Sequence, residues 1–272
     1  MIHLRTDLLR RKWVQRVQKS LRTQGYYYEP DFCSDTIEPN PVLIAARLLG
    51  DIYVPPHTSN CSPVMLTHPS RSAPQWRPFD RQTAIGWHND FSTRVGRPEL
   101  SLSWIRRGDP TGSQGGSWRL ASASAVIASI GASKEGNRLI ANLSKQAEPF
   151  GYRDAGGWRA FRVVLKSGQS SRLGLRFYRR ALEDGAWLRF GRIPDHTSEI
   201  VARIEEAADT VGEMLCANTG ALLVVDNRFS LHDRTEQQVT VRANLRRQAW
   251  LCFVKKLHQP LRSSGPREWN LR

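Results

Sequence analysis

The sequence predicts an α+β domain, and three observations predict it. Short apolar or alternating runs of β type recur along the chain, most clearly at residues 98–105, 222–225 and 244–254. Between them stand stretches with apolar residues at helical spacing, near the N-terminus and from His196 onward. The 272 residues suit one large domain over 1–272, and no repeat or second domain is evident in them.

The elements follow in order. Over 1–23, Leu4, Leu8, Val17 and Leu21 lie at helical spacing in a segment with seven basic residues and one acid. A targeting peptide has such a composition. Here Gly25-Tyr26-Tyr27-Tyr28 follows at once as a core strand, leaving no linker to cleave, so the segment reads as a helix packed on the domain. A helix over 39–49 starts at Asn40 or Pro41 and stops at Gly50. Residues 51–80, rich in Pro, Ser, Asn and Thr, read as loop with a short strand near 64–66. A strand enters at Thr83. Over 98–105, Leu100, Leu102 and Trp104 alternate with Glu99, Ser101 and Ser103, the pattern of a half-buried strand that walls the site. The glycine-bearing stretch 106–117 must turn, as a flap. Two helices, 121–130 and 133–143, divide at Gly131, and strands 161–165 and 173–178 pair around Gly168. His196-Thr197-Ser198-Glu199 opens an amphipathic helix with a Ser or Thr cap and Ile200, Ile204, Ala208, Val211 and Leu215 on one face. Gly220 then leads into the strand at 222–225.

Composition excludes several classes. An apolar share of 40% is ordinary for a folded chain, and no run approaches the roughly 20 apolar residues a bilayer span needs, so no membrane association is expected. Cys33, Cys61, Cys216 and Cys252 show no Cys-x-x-Cys spacing and read as free thiols of a reducing, cytoplasmic setting. The net charge of +15 raises nucleic acid as a partner, but the basic residues, 33 of them Arg, are spread along the whole chain. Nucleic acid is therefore the weaker reading, and attraction of small anions the stronger. No phosphate-binding loop or dinucleotide fingerprint is present, which leaves nucleotide cofactors unsupported.

The chemistry is carried by His88, Asp90 and His232. Two histidines and one carboxylate can hold one face of an iron(II) ion and leave the other open to oxygen and a co-substrate. His88 and Asp90, one residue apart in Gly86-Trp87-His88-Asn89-Asp90, point to the same side of an extended chain. His232 lies 144 residues past His88, after a buried strand that turns at Asp226-Asn227-Arg228, where the turn is expected to fix it. His3, His57, His68, His196 and His258 have no partner at ligand spacing and read as ordinary histidines. Arg246 and Arg247 open the strand after His232; a buried guanidinium there suits the distal carboxylate of a dicarboxylic acid. Neighbouring strand residues face opposite sides, so only one of the two can serve.

With Gly-Trp-His-Asn-Asp, Val-Asp-Asn-Arg-x-x-x-His-x-Arg and an arginine 14 or 15 residues past His232, the chain resembles the iron(II)- and 2-oxoglutarate-dependent oxygenases of the clavaminate synthase and taurine dioxygenase superfamily. The resemblance covers about residues 80–255. It implies a double-stranded β-helix core, jelly-roll and cupin-like, over 80–255, with N-terminal helices and a strand over 1–50 and a helical insert at about 121–145. It implies Fe(II) on His88, Asp90 and His232, 2-oxoglutarate as co-substrate on Arg246 or Arg247, O2 as oxidant, and a role in the site for Arg234, the arginine of the His-x-Arg element. Spacing favours Arg246 and the following hydrophobic pattern allows Arg247.

Two departures stand out. The threonine that commonly follows a Gly-Gly pair and touches 2-oxoglutarate is replaced here in Gly115-Gly116-Ser117-Trp118, where Ser117 is the nearest substitute. The basic residue often found four positions past the co-substrate arginine is Trp250 or Leu251, so the substrate must be recognised differently. Arg176 could touch substrate but reads more readily as an exposed strand arginine. The implied reaction is oxidation of a C–H bond in a small molecule, a specialised-metabolite intermediate or amino-acid derivative. The rivals are a nucleic-acid demethylase and a non-catalytic binding protein of the same fold.

Overall fold

The computed structural model describes residues 6–33, 40–55, 62–71, 73, 78–112, 115–166, 172–239, 242 and 245–257. Helix α1, Asp7–Thr23, is capped by the Thr6 hydroxyl, which accepts from Leu9 N, and has Asp7 in its first turn where the dipole favours an acid. It buries Trp13, Val17 and Leu21, whereas Leu8, expected on that stripe, is exposed. Strand β1, Tyr26–Glu29, follows. Helix α2, Pro41–Leu49, starts on an Asn40 cap with proline in its first turn and ends at Gly50. Two short strands come next, β2, Gly50–Tyr53, and β3, Val64–Thr67.

The strand expected from Thr83 does not form. Residues 81–99 run irregularly and His88 makes two isolated bridges, to Tyr178 and His232. Strand β4, Leu100–Arg107, is followed by β5, Trp118–Ser122, which takes the residues expected to begin a helix at 121. Helices α3, Ala123–Ile130, and α4, Lys134–Lys145, do break at Gly131. Beyond them the insert is longer than the sequence suggested. It contains strands β6, Ala147–Tyr152, β7, Gly157–Arg162, β8, Val164–Lys166, and β9, Leu173–Leu175. Helix α5, Arg179–Phe190, was not expected, and α6, Asp195–Val211, is entered from Pro194 with no side-chain cap. Strands 161–165 and 173–178 resolve into β8 paired with β9, and β7 paired with β6; Gly168 lies outside the described residues. Strand β10, Glu213–Leu215, holds the Leu215 that was expected on the helix. Strands β11, Leu222–Asp226, β12, Ser230–Arg234, and β13, Gln248–Leu257, complete the chain. The last begins after both arginines; Asn244 lies outside the described residues.

All strand pairs among the described residues are antiparallel, in a mixed α and β architecture. The larger sheet runs β1-β11-β4-β13-β2, with β3 also on β13; a smaller one runs β10-β5-β12. One face of the larger sheet packs Leu100, Leu102, Trp104, Leu222, Val224 and Cys252 against α1 and α2. Its other face looks toward Trp118 and Leu120 of the smaller sheet. The insert covers the remaining side through Phe150, Leu182, Ile204 and their neighbours. Burying these side chains yields roughly 1.5–3 kcal/mol each before entropy is counted. No helix among the described residues is long and apolar enough to cross a membrane. Cys33 and Cys252 are buried and Cys216 exposed, with no disulfide among the described residues, while Cys61 lies outside them.

Candidate active site

The register of the larger sheet sets out the floor of a cavity. Val225 pairs with Ser101 and Ser101 with Phe253; one step on, Leu223 pairs with Ser103 and Ser103 with Leu251. Pleating sends these rows to one face, and all six side chains line a cavity of about 60 Å³. The alternation over 98–105 is thus inverted relative to a surface strand: its serines face the cavity and its leucines face the helices.

His88 and His232 stand directly opposite each other. His88 N donates to His232 O at 2.9 Å and His232 N to His88 O at 3.0 Å. Opposed residues of an antiparallel bridge project to one side, which brings the rings to 4.2 Å between centroids. Asp90, two residues on, joins them, with Oδ1 3.8 Å from His88 Nε2 and Oδ2 3.4 Å from His232 Nε2. One donor atom from each of the three lies within 4.8 Å of the others.

The backbone around them is fixed on both sides. Gly86, at φ +87, donates its N–H to Asp233 Oδ1 and offers its carbonyl to His88 Nδ1 at 2.8 Å, which leaves Nε2 facing Asp90. Asn89 Nδ2 donates to Ser230 O and its Oδ1 accepts from Phe177 N, tying the segment to β12 and to the stretch between β9 and α5. Asp90 Oδ2 accepts from Ser101 Oγ at 2.5 Å, and Asn227 Nδ2 donates to that hydroxyl at 2.8 Å. The turn 226–228 therefore does steady the site, but through Ser101 and Asp90 rather than through His232.

Electrostatics agree with a metal centre. Burial, reinforced by the neighbouring His232 charge, lowers the His88 pKa to about 4. Burial pushes Asp90 up, yet His232, His88 and the Ser101 hydroxyl outweigh it and hold the carboxyl at about 2. A neutral imidazole beside an ionised carboxylate is the ligand state a divalent ion requires. Buried His88 Nε2 and His232 Nδ1 have no hydrogen-bond partner among the described residues; an unmet buried acceptor costs free energy that a cation would recover for His88 Nε2. The donor set fits iron(II).

Arg234 and Arg247 line the same cavity. Arg247 is buried and its Nε has no partner among the described residues; burial, with the nearby Arg234 charge, lowers its pKa to about 9. Arg234 donates to Thr235 O, Arg81 O and Thr83 O, and burial lowers it to about 10. Two buried guanidiniums on one cavity wall are suited to a dianionic guest. Arg246 is only half-buried and does not line the cavity, since Arg247, Ala249, Leu251 and Phe253 share the inward parity. The cavity is lined not by Ser117 but by the following Trp118; Ser117 is buried beside it, its backbone bonded to Thr235. Thr67, from β3, does line it, its hydroxyl donating to Ala249 O.

Other sequence expectations resolve differently. Arg176 is half-buried, stacks on Phe161 at 4.0 Å and donates to Ser92 O and Arg94 O, so it braces the loop after Asp90. His196 meets Glu148 at 3.2 Å and His68 is exposed; His3, His57 and His258 lie outside the described residues. Ser101, Asn89, Thr67 and Tyr178, whose ring is 5.6 Å from that of His88, were not assigned roles from sequence. The inward parity of Ser101 was the one available signal.

No protein-family model and no curated protein matches the chain. Solved structures do match. Asparagine oxygenase in complex with Fe(II), 2S,3S-3-hydroxyasparagine and succinate superposes with a TM-score of 0.69 at 19% identity, over 89% of this chain and 79% of that one. The non-haem iron oxygenase OrfP, in complex with Fe and α-ketoglutaric acid, gives 0.64 at 13% over 90% and 78%. PvcB, an Fe, α-ketoglutarate-dependent oxygenase from an isonitrile synthetic pathway, gives 0.63 at 16% over 89% and 79%. The chain has the fold of these iron oxygenases.

Proposed function

We propose that the protein is an iron(II)- and 2-oxoglutarate-dependent oxygenase acting on a small molecule. The observation that carries this reading is one cavity lined both by the His88, Asp90, His232 cluster and by the buried Arg247. The two facing sheets are read as the double-stranded β-helix of that class, in a single domain with α3 to α6 inserted.

In this reading His88 Nε2, an Asp90 carboxylate oxygen and His232 hold the iron. Arg247, with Arg234 beside it, takes the distal carboxylate of 2-oxoglutarate in a bidentate, charge-assisted pairing. Bound iron(II) supplies the redox chemistry that couples decarboxylation of 2-oxoglutarate with O2 to oxidation of a C–H bond. The chain's own contribution is positioning and dryness. Ser101 and Asn227 fix the Asp90 carboxylate, and Val225, Leu223, Leu251 and Phe253 exclude water from the reacting centre. A carboxylate at position 90, where related halogenases carry a small residue, favours hydroxylation, desaturation or ring closure.

The substrate is assigned only by class. The asparagine oxygenase and OrfP structures hold hydroxylated amino acids. The position four past Arg247, where relatives often carry a base, is Leu251, which lines the cavity. An amino-acid derivative or biosynthetic intermediate whose acid group is masked or met elsewhere fits this wall better than a free amino acid.

Anaerobic titration with iron(II) and 2-oxoglutarate tests the proposal. A weak visible charge-transfer band is expected, lost in His88→Ala and Asp90→Ala. A folded protein that binds iron without that band, whatever the 2-oxoglutarate concentration, would sink the co-substrate assignment.

A further inference from the structure

We infer that the face formed by β7 and the C-terminal half of α5 is a docking surface for an acidic protein. Among the described residues the exposed tryptophans and phenylalanines gather there: Trp158 is 40% exposed, Trp187 42% and Phe190 45%, with Ile193 at 36% beside them. Arginines lie over its rings. The Arg189 guanidinium lies 5.2 Å from the Trp158 ring and 4.8 Å from the Phe190 ring, bridging strand and helix, and that of Arg153 lies 4.6 Å over Trp187. Large aromatic side chains left in water on one face, rimmed by polar groups, mark interaction sites, and Trp, Phe and Arg are enriched in protein interfaces.

Charge selects the partner. Two acids of this face are spent internally, Asp184 on Arg153 and Arg180 and Asp154 on Arg180, which leaves Glu183 and Asp195 against a larger number of arginines. Arg162, on the Trp158 side of β7, and Arg189 and Arg192 have no ion pair among the described residues. A second copy of this chain would set like charges against each other on this face, at a cost of several kcal/mol. Nucleic acid fits less well, because stacking of bases needs open aromatic faces and arginines already lie over both Trp158 and Trp187. An acidic protein with apolar side chains among its carboxylates complements both features.

The test uses the full chain and fluorescently labelled probes: a helical peptide with Glu on one face and Leu on the other, single-stranded DNA, and vesicles containing phosphatidylserine. Binding of the acidic peptide is expected, weakened about tenfold or more, equivalent to about 1.4 kcal/mol, by Arg189→Glu and by Trp158→Ala. Arg11→Glu on α1, a control of equal charge change, should alter it less than twofold. Melting temperature and iron binding check that each variant is folded. No binding of the peptide, or equal losses for Arg189→Glu and Arg11→Glu, overturns the inference. Tighter, Trp158-dependent binding of DNA or vesicles, or a dimer in solution abolished by Trp158→Ala, would replace it with that other occupant.

Discussion

The hydroxyl of Ser101 donates a 2.5 Å hydrogen bond to Asp90 Oδ2, and through it Asp90 and Asn227 close a ring. Asn227 Nδ2 donates to Ser101 Oγ while Asn227 Oδ1 accepts from Asp90 N at 3.3 Å. All three residues are buried, so the carboxylate has little freedom to rotate. Ser101→Ala removes the oriented donor with little change of volume. Iron affinity is expected to fall about 10- to 100-fold, with the melting temperature nearly unchanged. Equal iron binding in wild type and Ser101→Ala would show that the ring does not orient the ligand.

Arg247 and Arg246 separate by parity, and so should their variants. Arg247→Gln removes a buried cation from the cavity wall, and the affinity for 2-oxoglutarate is expected to drop about 100-fold, in line with loss of a charge-assisted bidentate pair. Iron affinity should stay within a few-fold. Arg246→Gln should leave both nearly as they were. The titration is the charge-transfer band followed against 2-oxoglutarate at saturating iron, and the reverse ranking of the two variants would reassign the co-substrate arginine.

The contrast between these two residues shows where the sequence was legible. His88, Asp90 and His232 could be grouped because ligand chemistry restricts residue type, and a one-residue gap fixes a common face. Arg247 could not be separated from Arg246, because which parity of the strand looks into the cavity is defined only once the strand is seated between β4 and its other neighbours. The expected strand at Thr83 failed for a related reason: the His88 segment is held by single bridges and by side-chain bonds from Asp233, Asn89 and Asn227, none of which leaves a periodic pattern. Helix α5 escaped notice because its buried residues, Ala181, Leu182, Gly185 and Ala186, are mostly small and give little apolar contrast. The alternation in β4 marked a half-buried strand walling the site, but not that its serines rather than its leucines face the cavity, since sequence cannot distinguish water from the inside of a polar cavity.

The pH dependence follows from His88. Its folded pKa, lowered by burial to about 4, lies below its ordinary 6.5. Between these values the unfolded chain takes up a proton that the folded site refuses, so His88 makes metal-free protein less stable as pH falls through this window. Asp90, held at about 2, contributes stability above its ordinary 3.8 that is lost as pH falls toward 2. Melting temperatures of the metal-free protein measured from pH 7 to pH 4 should decline, and His88→Gln should flatten the decline. The same slope in both proteins would assign the pH sensitivity to other groups.

Gly116 sets the position of Arg247 from behind. It adopts φ +63, a region disfavoured for residues with a Cβ, and its N–H donates to Glu236 O at 2.6 Å. A Cβ there would come within 2.6 Å of both Cδ and Nε of Arg247. Gly116→Ala therefore carries a backbone cost of about 1–2 kcal/mol and displaces the guanidinium from the cavity wall. Lower stability alone would reflect the backbone. The displacement predicts in addition that 2-oxoglutarate binding weakens about tenfold or more while iron binding is retained, as measured by the charge-transfer titration below the unfolding temperature. Undiminished 2-oxoglutarate affinity in a destabilised Gly116→Ala protein would mean that Arg247 can shift without losing its carboxylate, and that this glycine serves the turn alone.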